Sequence, residues 1–266
     1  MSKYTAMRLR HPITSAARKF SISKRPIPTT IVFDKDGTLI DAHATWAPVI
    51  ERVCELTCPD DTFEIYNLLG YDPAKLRFHA SSSFMIDTNE TVHELLASNG
   101  FDVTSFISNM EDTIRPTSTT HGNIPSSSSY FNPVPLTNLA VVFQKIRSLG
   151  LKVAILSADD RENVEMFLKS QDLEVDALVC GNDGRGFKPN AEPLEAVASD
   201  LDADVATMVM VGDSRHDVDC ALNAGAWSVG VLSGVGDSDT LGAADFVLQS
   251  VADLPLLFNV RKDVLA

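Results

Sequence analysis

The sequence predicts an α/β protein with a doubly wound, mainly parallel, Rossmann-like sheet and an inserted α-helical cap. From residue 134 onward, short apolar runs that suit buried strands alternate with amphipathic helical patterns. One more run of this kind, Ile31–Phe33, stands alone before a long helical stretch, residues 42–115. Because a strand that is buried on both faces needs neighbours, this first strand must pair with the later ones. The helical stretch is therefore expected to be an insertion above one edge of the sheet.

The elements of the predicted cap follow from helical spacing and from helix end signals. Apolar residues recur three and four positions apart, and Gly or capping residues mark the ends of the periodic segments. No strand is predicted in this part of the chain. Four cap helices are expected, around Trp46 to Leu56, over 61–69, from an N-cap at Asp87–Glu90 to Gly100, and over 102–115.

The core elements alternate as in a parallel α/β domain. Residues 28–41 and 134–266 make up the predicted core, and a linker rich in Ser, Thr and Pro, residues 116–133, joins the cap to its second part. Strands are predicted over 151–156, 177–180, 206–211, 227–232 and 246–248, and helices over 137–148, 160–169, 191–199 and 215–223, followed by a short C-terminal helix.

Length and composition limit the kind of protein. The 266 residues, 44% of them hydrophobic, are enough for a packed core. No apolar run reaches the roughly 20 residues of a bilayer-spanning helix, so we expect no membrane partner. A net charge of −14 disfavours nucleic acid, whose phosphates need a basic surface. The cysteines lack zinc-site spacing and are expected to be buried free thiols, at Cys54, Cys58, Cys180 and Cys220.

The N-terminal segment, residues 1–27, is basic and has no acidic residue, whereas all 36 acidic residues lie further along the chain. Basic, acid-free N-termini that contain Ser and Thr are typical of organellar transit peptides. Arg18-Lys19-Phe20-Ser21 also resembles a mitochondrial processing site that would leave Ser21 as the new N-terminus. We therefore expect a mitochondrial location. The alternative is a basic tail on a cytoplasmic protein.

Two aspartates follow the first predicted strand. Asp34 and Asp36 lie at its end, in a turn that Gly37 allows to be sharp. Ligands of an open parallel sheet bind beyond the carboxyl ends of its strands, so these carboxylates should face a ligand. Two carboxylates this close repel each other unless a cation lies between them. Oxygen ligands in such a place suit Mg²⁺ together with a substrate phosphate.

Later strands carry polar residues at the same edge of the sheet. Ser157 directly follows the strand 151–156, where its hydroxyl and the start of the next helix could bind a phosphate. Asp213 ends the strand 206–211, and Asp217 lies on the first turn of the following helix, which places both carboxylates on one side. Lys188 is one of few basic groups in an acidic region.

These residues resemble the four motifs of the haloacid-dehalogenase-like (HAD) superfamily, most of whose members are Mg²⁺-dependent phosphatases. The resemblance covers about residues 28–255, and it is closest to the phosphoglycolate-phosphatase-like branch. Ala158-Asp159-Asp160 departs from the Asn- or Gly-containing continuation that is common after the second motif. The four matching segments are, in family order, Asp34-Lys35-Asp36-Gly37-Thr38, Ser157, Lys188 and Gly212-Asp213-Ser214-Arg215-His216-Asp217.

The resemblance implies a role for each of these residues. Asp34 would be the nucleophile that forms an aspartyl phosphate, and Asp36 would be the general acid and base. Mg²⁺ would be bound by the side chains of Asp34 and Asp213 and by the backbone carbonyl of Asp36, with Asp217 nearby as an indirect or alternate ligand. The expected substrate is a small phosphorylated metabolite, phosphoglycolate-like or a sugar phosphate, and the expected assembly is a monomer or homodimer. The phosphate oxygens would be held by Ser157 and Lys188.

Two alternatives to a phosphatase remain open from the sequence. A phosphomutase would share every core residue and differ in how its cap excludes water, so that only a comparison of phosphate release with isomer formation separates the two. A non-catalytic binding protein on this fold would be expected to have a damaged site, whereas all four motifs are intact. The cap residues that could meet a substrate carboxylate are Arg52, Lys75, Arg77, His79 and Arg115.

The acid-free N-terminus leads to a prediction about location. Residues 1–30 fused to a fluorescent reporter should direct it to mitochondria, because amphipathic basic segments are recognised for import. Replacing Arg8, Arg10 and Arg18 by glutamate should abolish this, as seen by microscopy beside a mitochondrial stain. A cytosolic signal from the unmutated fusion would contradict the expectation.

Overall fold

The computed structural model describes residues 25–115 and 130–258. The predicted transit segment up to residue 24, most of the predicted linker (116–129) and residues 259–266 lie outside the described residues. Within the described parts, no helix is both long and apolar enough to cross a membrane. The first strand, β1 (Thr30–Phe33), is buried along its whole length, as its apolar sequence predicts.

The cap follows β1 and consists mainly of helices. In three of these helices the side chain of the N-cap residue accepts a hydrogen bond from a backbone N–H group of the first turn. These N-cap residues are Asp41, Thr88 and Asp102. The cap elements are α1 (Ala42–Thr57), α2 (Thr62–Leu69), β2 (Tyr71–Asp72), β3 (Arg77–Phe78), α3 (Ser83–Ile86), α4 (Asn89–Ser98) and α5 (Val103–Ile114).

The rest of the core alternates between helices and strands. Each of these helices carries buried apolar residues at helical spacing, and three of the four strands between β3 and β8 are apolar along nearly their whole length. The core elements are α6 (Leu139–Ser148), β4 (Lys152–Leu156), α7 (Arg161–Ser170), β5 (Ala177–Val179), α8 (Glu192–Asp200), β6 (Met208–Gly212), α9 (Arg215–Asn223), β7 (Trp227–Val231) and β8 (Phe246–Leu248).

The main sheet has six strands in the order β5-β4-β1-β6-β7-β8, and every pair is parallel. Strand β1 lies between β4 and β6, pairing Val32 with Ala154 on one side and with Met210 on the other. The chain winds outward from β1 in both directions, so the ends of β1, β4 and β6 border the crevice where ligands bind in such sheets. The structure thus confirms the predicted doubly wound α/β class.

The two faces of the sheet bury different hydrophobic clusters. Along β1, Ile31 and Phe33 pack on one face with side chains of α6 and α7. Val32 points to the opposite face, where α8 and α9 cover the sheet. This alternation follows from the two-residue period of a strand. A third cluster joins α1 to the other cap elements, so that the cap has a hydrophobic core of its own.

The structure corrects two expectations for individual elements. The cap contains a short antiparallel ribbon, β2–β3, although no strand was predicted there, and two residues per strand are too few to show an alternating pattern. The one-turn helix α3 was also missed, for the same reason of length. Within the predicted helix 215–223, His216 lies on α9, where its Nδ1 is 3.0 Å from the Ile86 carbonyl oxygen of the cap.

A substitution in β1 tests this packing. Phe33 is fully buried and stacks on Phe143 of α6, with ring centroids 5.4 Å apart. Phe33→Ala should lower the free energy of unfolding by about 3–5 kcal/mol, because it removes a large buried side chain and leaves a cavity. The matched control is Phe63→Ala, at a ring that is 67% exposed, which should stay within about 0.5 kcal/mol of the parent. Urea unfolding followed by circular dichroism measures both, and equal losses would contradict the packing described.

Candidate active site

Asp34 lies at the centre of the site, directly beyond β1. Its backbone N–H donates to the Val211 carbonyl at 2.9 Å, which continues the pairing of β1 with β6 and fixes the residue at the mouth of the sheet. The carboxyl is buried, and its Oδ1 lies 2.7 Å from the Lys188 ammonium. The predicted nucleophile is therefore held by the sheet on one side and by a lysine on the other.

Asp213 and Asp217 come from the end of β6 and the start of α9. Asp217 forms a capping box with Ser214, accepting from the Ser214 N–H at 3.0 Å and from its hydroxyl at 2.6 Å. Asp213 Oδ2 accepts from the Val235 N–H at 2.7 Å. Both side chains are thus oriented by local backbone groups, and both are buried.

Two glycines make room for the Asp213 carboxylate. Gly37 has a φ of +81°, a conformation that L side chains rarely adopt, and a β-carbon there would overlap Asp213. Gly234, in the loop after β7, approaches the same carboxylate so closely that it too leaves no space for a β-carbon. The Ser233 hydroxyl donates to the Gly37 carbonyl at 2.8 Å and ties the two loops together.

The three aspartates form a cluster suited to a cation. Carboxylate oxygens of Asp34, Asp213 and Asp217 all lie within 4.8 Å of one another. Burial, together with the charges of Asp217 and Asp36, raises the pKa of Asp34 to about 7, although the charge of Lys188 opposes this rise. Burial and the carboxylates of Asp34 and Asp217 raise the pKa of Asp213 well above its usual range. A hard divalent ion would let these oxygens remain ionised side by side, so the donor set fits Mg²⁺.

Lys188 is brought into this cluster from the loop before α8. Its ammonium lies 2.7 Å from Asp34 Oδ1 and 2.6 Å from Asp217 Oδ1, and only 6% of its side chain is exposed. Burial alone would lower the pKa of this lysine, but the charges of Asp217 and Asp34 raise it. Lys188 therefore stays charged beside Asp34, as expected for a group that neutralises a phosphate.

Ser157 follows β4 and lines the same cavity as Asp34. Its N–H donates to the Val179 carbonyl at 3.0 Å, and its hydroxyl oxygen accepts from the Asp159 N–H at 3.2 Å. The hydroxyl keeps its own hydrogen for a ligand. The structure thus brings every side chain predicted for the site to the lining of one cavity, where Asp217 also contacts Lys188 directly.

The Asp36 carboxylate is turned toward its own neighbours. Oδ1 accepts from the Trp46 indole N–H at 2.5 Å, and Oδ2 lies 2.6 Å from the Lys35 ammonium. Lys35 also lies 3.1 Å from Asp159 Oδ2. Sequence reasoning missed Lys35, Trp46 and Asp159, because spacing along the chain does not show where a loop side chain points. The only available signal was the departure of residues 158–160 from the family pattern.

A cavity of about 150 Å³ opens between the core and the cap. Apolar side chains of α3, α4 and α5 form much of its wall, and Asp34, Asp36 and Lys188 lie at its base. Arg115 lines it as well and donates to the Asn163 side chain at 2.6 Å. Of the five basic residues proposed from the sequence, Arg115 is the one that lines this cavity. The other four, His79 among them, do not line it. Arg52 lies beside Glu55, Lys75 beside Asp72 and Arg77 beside His43.

Comparison with known proteins agrees with this geometry. The phosphoglycolate phosphatase of Neisseria meningitidis serogroup A is 30% identical over 221 residues, which are 81% of this chain and 85% of that protein. The pyrophosphatase PpaX of Bacillus mycoides is 34% identical over 123 residues, 44% of this chain and 57% of that protein. A crystal structure of a hydrolase from Pseudomonas syringae shares the fold, with a TM-score of 0.57 and 20% identity over 88% of this chain and 98% of that one.

A family model described as haloacid dehalogenase-like hydrolase matches residues 31–231, more than half of the chain. The match spans all four motifs, so the resemblance noted from the sequence is confirmed. The chain therefore belongs to the haloacid dehalogenase-like hydrolase family, in its phosphoglycolate-phosphatase-like branch.

Proposed function

We propose that this protein is a Mg²⁺-dependent phosphatase that hydrolyses a small phosphomonoester through a phosphorylated Asp34. The observation that carries the proposal is the Asp34 carboxylate itself, buried at the strand mouth with Lys188 at 2.7 Å and two further carboxylates within 4.8 Å. Phosphoryl transfer depends mainly on positioning and on neutralising charge. In this arrangement the Asp34 carboxylate is positioned by the sheet, and Lys188 supplies the neutralising charge beside it.

In the first step, Asp34 attacks the phosphorus and the bond to the leaving oxygen breaks. The Lys188 ammonium and the Ser157 hydroxyl hold the oxygens of the phosphoryl group, because both line the cavity beside Asp34. Asp36 gives its proton to the leaving oxygen. Covalent catalysis of this kind replaces one difficult displacement by two easier ones.

In the second step, water attacks the phosphorus of the aspartyl phosphate. Asp36, now ionised, takes the proton from the water, and the bond between phosphorus and Asp34 breaks to release inorganic phosphate. Asp36 lines the same cavity as Asp34, which suits it to serve in both steps.

Mg²⁺ would be held by the Asp34 and Asp213 carboxylates and the Asp36 carbonyl, with Asp217 beside them. Bound there, it would neutralise charge on the phosphoryl group during transfer. The Val235 N–H and the two glycines that surround Asp213 keep that carboxylate in place. Ser214 does the same for Asp217.

The cavity supports a small substrate. Its volume of about 150 Å³ matches that of engineered cavities that take a molecule as small as benzene. Arg115 offers a charged contact at the cap side, which suits the carboxylate of a phosphoglycolate-like substrate. A sugar phosphate would meet the polar side chains of Asn89 and Asn163 in the same cavity.

The two aspartates of the first motif should respond differently to substitution. Asp34→Asn should abolish turnover and leave no phosphoenzyme, because the nucleophile is lost. Asp36→Asn should slow hydrolysis of alkyl phosphates by about 10²–10⁴, the usual contribution of general acid–base catalysis. With an aryl phosphate, whose leaving group needs little protonation, Asp36→Asn should carry out the first step and accumulate phosphoenzyme. Mass spectrometry of acid-quenched samples measures the phosphate on the peptide that contains Asp34.

Removal of Mg²⁺ with a chelator is the control for both variants and should stop phosphoenzyme formation in the parent protein. Activity in Asp34→Asn, or phosphate on Ser157, would show that the roles are assigned wrongly.

Substitution of Arg115 tests the substrate class. Arg115→Met should raise KM for phosphoglycolate about 10-fold or more, the effect of losing a charged hydrogen bond of roughly 1.5–3 kcal/mol, and should change KM for glycerol phosphate much less. Steady-state kinetics on the two esters measures the difference. Arg52→Met is the matched control, because Arg52 lies outside the cavity lining and pairs with Glu55. Equal effects on both esters would favour a substrate without a carboxylate.

A further inference from the structure

Lys35 is a buried charge that the proposed mechanism does not use. Its side chain has no exposed surface, and its ammonium lies 2.6 Å from Asp36 Oδ2 and 3.1 Å from Asp159 Oδ2. Both contacts are ion pairs. Burial alone would lower the pKa of Lys35, but the charges of Asp36 and Asp159 raise it. A charge this deep needs a reason, because burying an ion costs several kcal/mol before its partners are counted.

We propose that Lys35 is a positioning residue that, together with Trp46, fixes the Asp36 carboxyl for its two proton transfers. The inference rests on the proposed function, since it assigns Lys35 and Trp46 a part in that reaction. It concerns the orientation of Asp36 and no other group.

The two oxygens of Asp36 are each held by one partner. Trp46 donates to Oδ1 and Lys35 faces Oδ2, so rotation of the carboxyl would break one contact or both. A carboxylate oxygen has two lone pairs, which leaves each oxygen able to exchange a proton with a substrate. Trp46 is itself wedged between rings, with Phe84 at 5.5 Å and Phe131 at 4.9 Å between centroids. The donor that holds Oδ1 is therefore itself held by packing.

Asp159 holds Lys35 from the opposite side. Its Oδ1 accepts from the Asn163 side chain and from the Asp160 N–H, both at 2.8 Å, which leaves Oδ2 facing Lys35. The Asp159 N–H in turn donates to the Ser157 hydroxyl oxygen. Lys35 thereby joins the loop that carries the general acid to the loop that holds the phosphate. This gives a physical reason for an aspartate where the family pattern has another residue.

A purely structural ion pair would behave differently from a positioning residue. Loss of a structural pair would destabilise the fold and would reduce all phosphatase activity alike. Loss of a positioning contact should matter only where Asp36 must transfer a proton, and a displacement of about 1 Å can cost roughly 10²-fold in rate. The dependence on the leaving group therefore separates the two explanations.

The experiment compares Lys35→Met with the parent on glycerol phosphate and on 4-nitrophenyl phosphate, in Mg²⁺. We expect kcat on glycerol phosphate to fall by about 10- to 100-fold. The first phosphoryl transfer from 4-nitrophenyl phosphate should be unchanged in single-turnover measurements, and phosphoenzyme should accumulate on Asp34. Lys75→Met is the matched control, a lysine whose side chain is 73% exposed and pairs only with Asp72 in the described structure. Lys75→Met should leave kcat and the rate of the first phosphoryl transfer unchanged with both esters.

Lys35→Met leaves the buried Asp159 carboxylate without its ion-pair partner, and this alone could lower the activity. The double variant with Asp159→Asn tests that explanation, because it removes the unpaired charge. The defect on glycerol phosphate should persist in the double variant. Recovery of activity would assign the defect to the unpaired Asp159 and overturn the proposal. An equal fall in the rate of the first phosphoryl transfer from both esters, or no fall with either ester, would also overturn it.

The variant Trp46→Phe tests the same proposal if Lys35→Met does not fold. It removes the N–H that holds Asp36 Oδ1 while keeping an aromatic ring, and it should show the same difference between the two esters. A parent protein that forms no phosphoenzyme would instead refute the proposed function, whereas an active parent without this difference in both variants would refute only the role of Lys35 and Trp46.

Discussion

The constraint on which the rest of the structure depends is the burial of several carboxylates in one place. Asp34, Asp213 and Asp217 have oxygens within 4.8 Å of one another, where burial and mutual repulsion both oppose ionisation. Such a cluster is stable only if each carboxylate has a fixed partner. The sheet order provides the place, since β1 and β6 are neighbours and both end there. The fixed partners are a loop amide and two closely placed glycines at Asp213 and a capping serine at Asp217.

Two buried lysines divide the neutralisation of this charge. Lys188 pairs with Asp34 and Asp217, on the side where a phosphate would bind. Lys35 pairs with Asp36 and Asp159, behind the general acid. For both lysines burial opposes the charged form and the adjacent carboxylates more than compensate, so the pKa of each is raised. Lys188 lines the cavity, which suits it to contact the substrate. Lys35 has no exposed surface, which suits it to support Asp36.

The sequence predicts the part of the site that follows from strand ends. Asp34, Ser157 and Asp213 each come directly after an apolar run, and parallel strands bring their carboxyl ends to one edge. The partners of Asp36 could not be predicted, because Lys35 lies in a turn where no period shows the direction of a side chain. Trp46 was assigned to the apolar face of α1, yet its N–H reaches Asp36. The two-residue strands of the cap were not predicted because two residues are too few to show the alternation that indicates a strand.

The contacts of Asp36 continue into the cap. Asp159 accepts from Asn163, and Asn163 accepts from Arg115 at the end of α5. The arginine proposed to contact the leaving portion of a substrate is thus joined by side-chain contacts to the residue proposed to protonate that leaving portion. Contiguity alone does not establish coupling, which needs an element with two arrangements that both sites bias. The hydrophobic cluster of the cap packs against Met166 and Val235 of the core, so apolar contacts as well as these polar ones join the cap to the core.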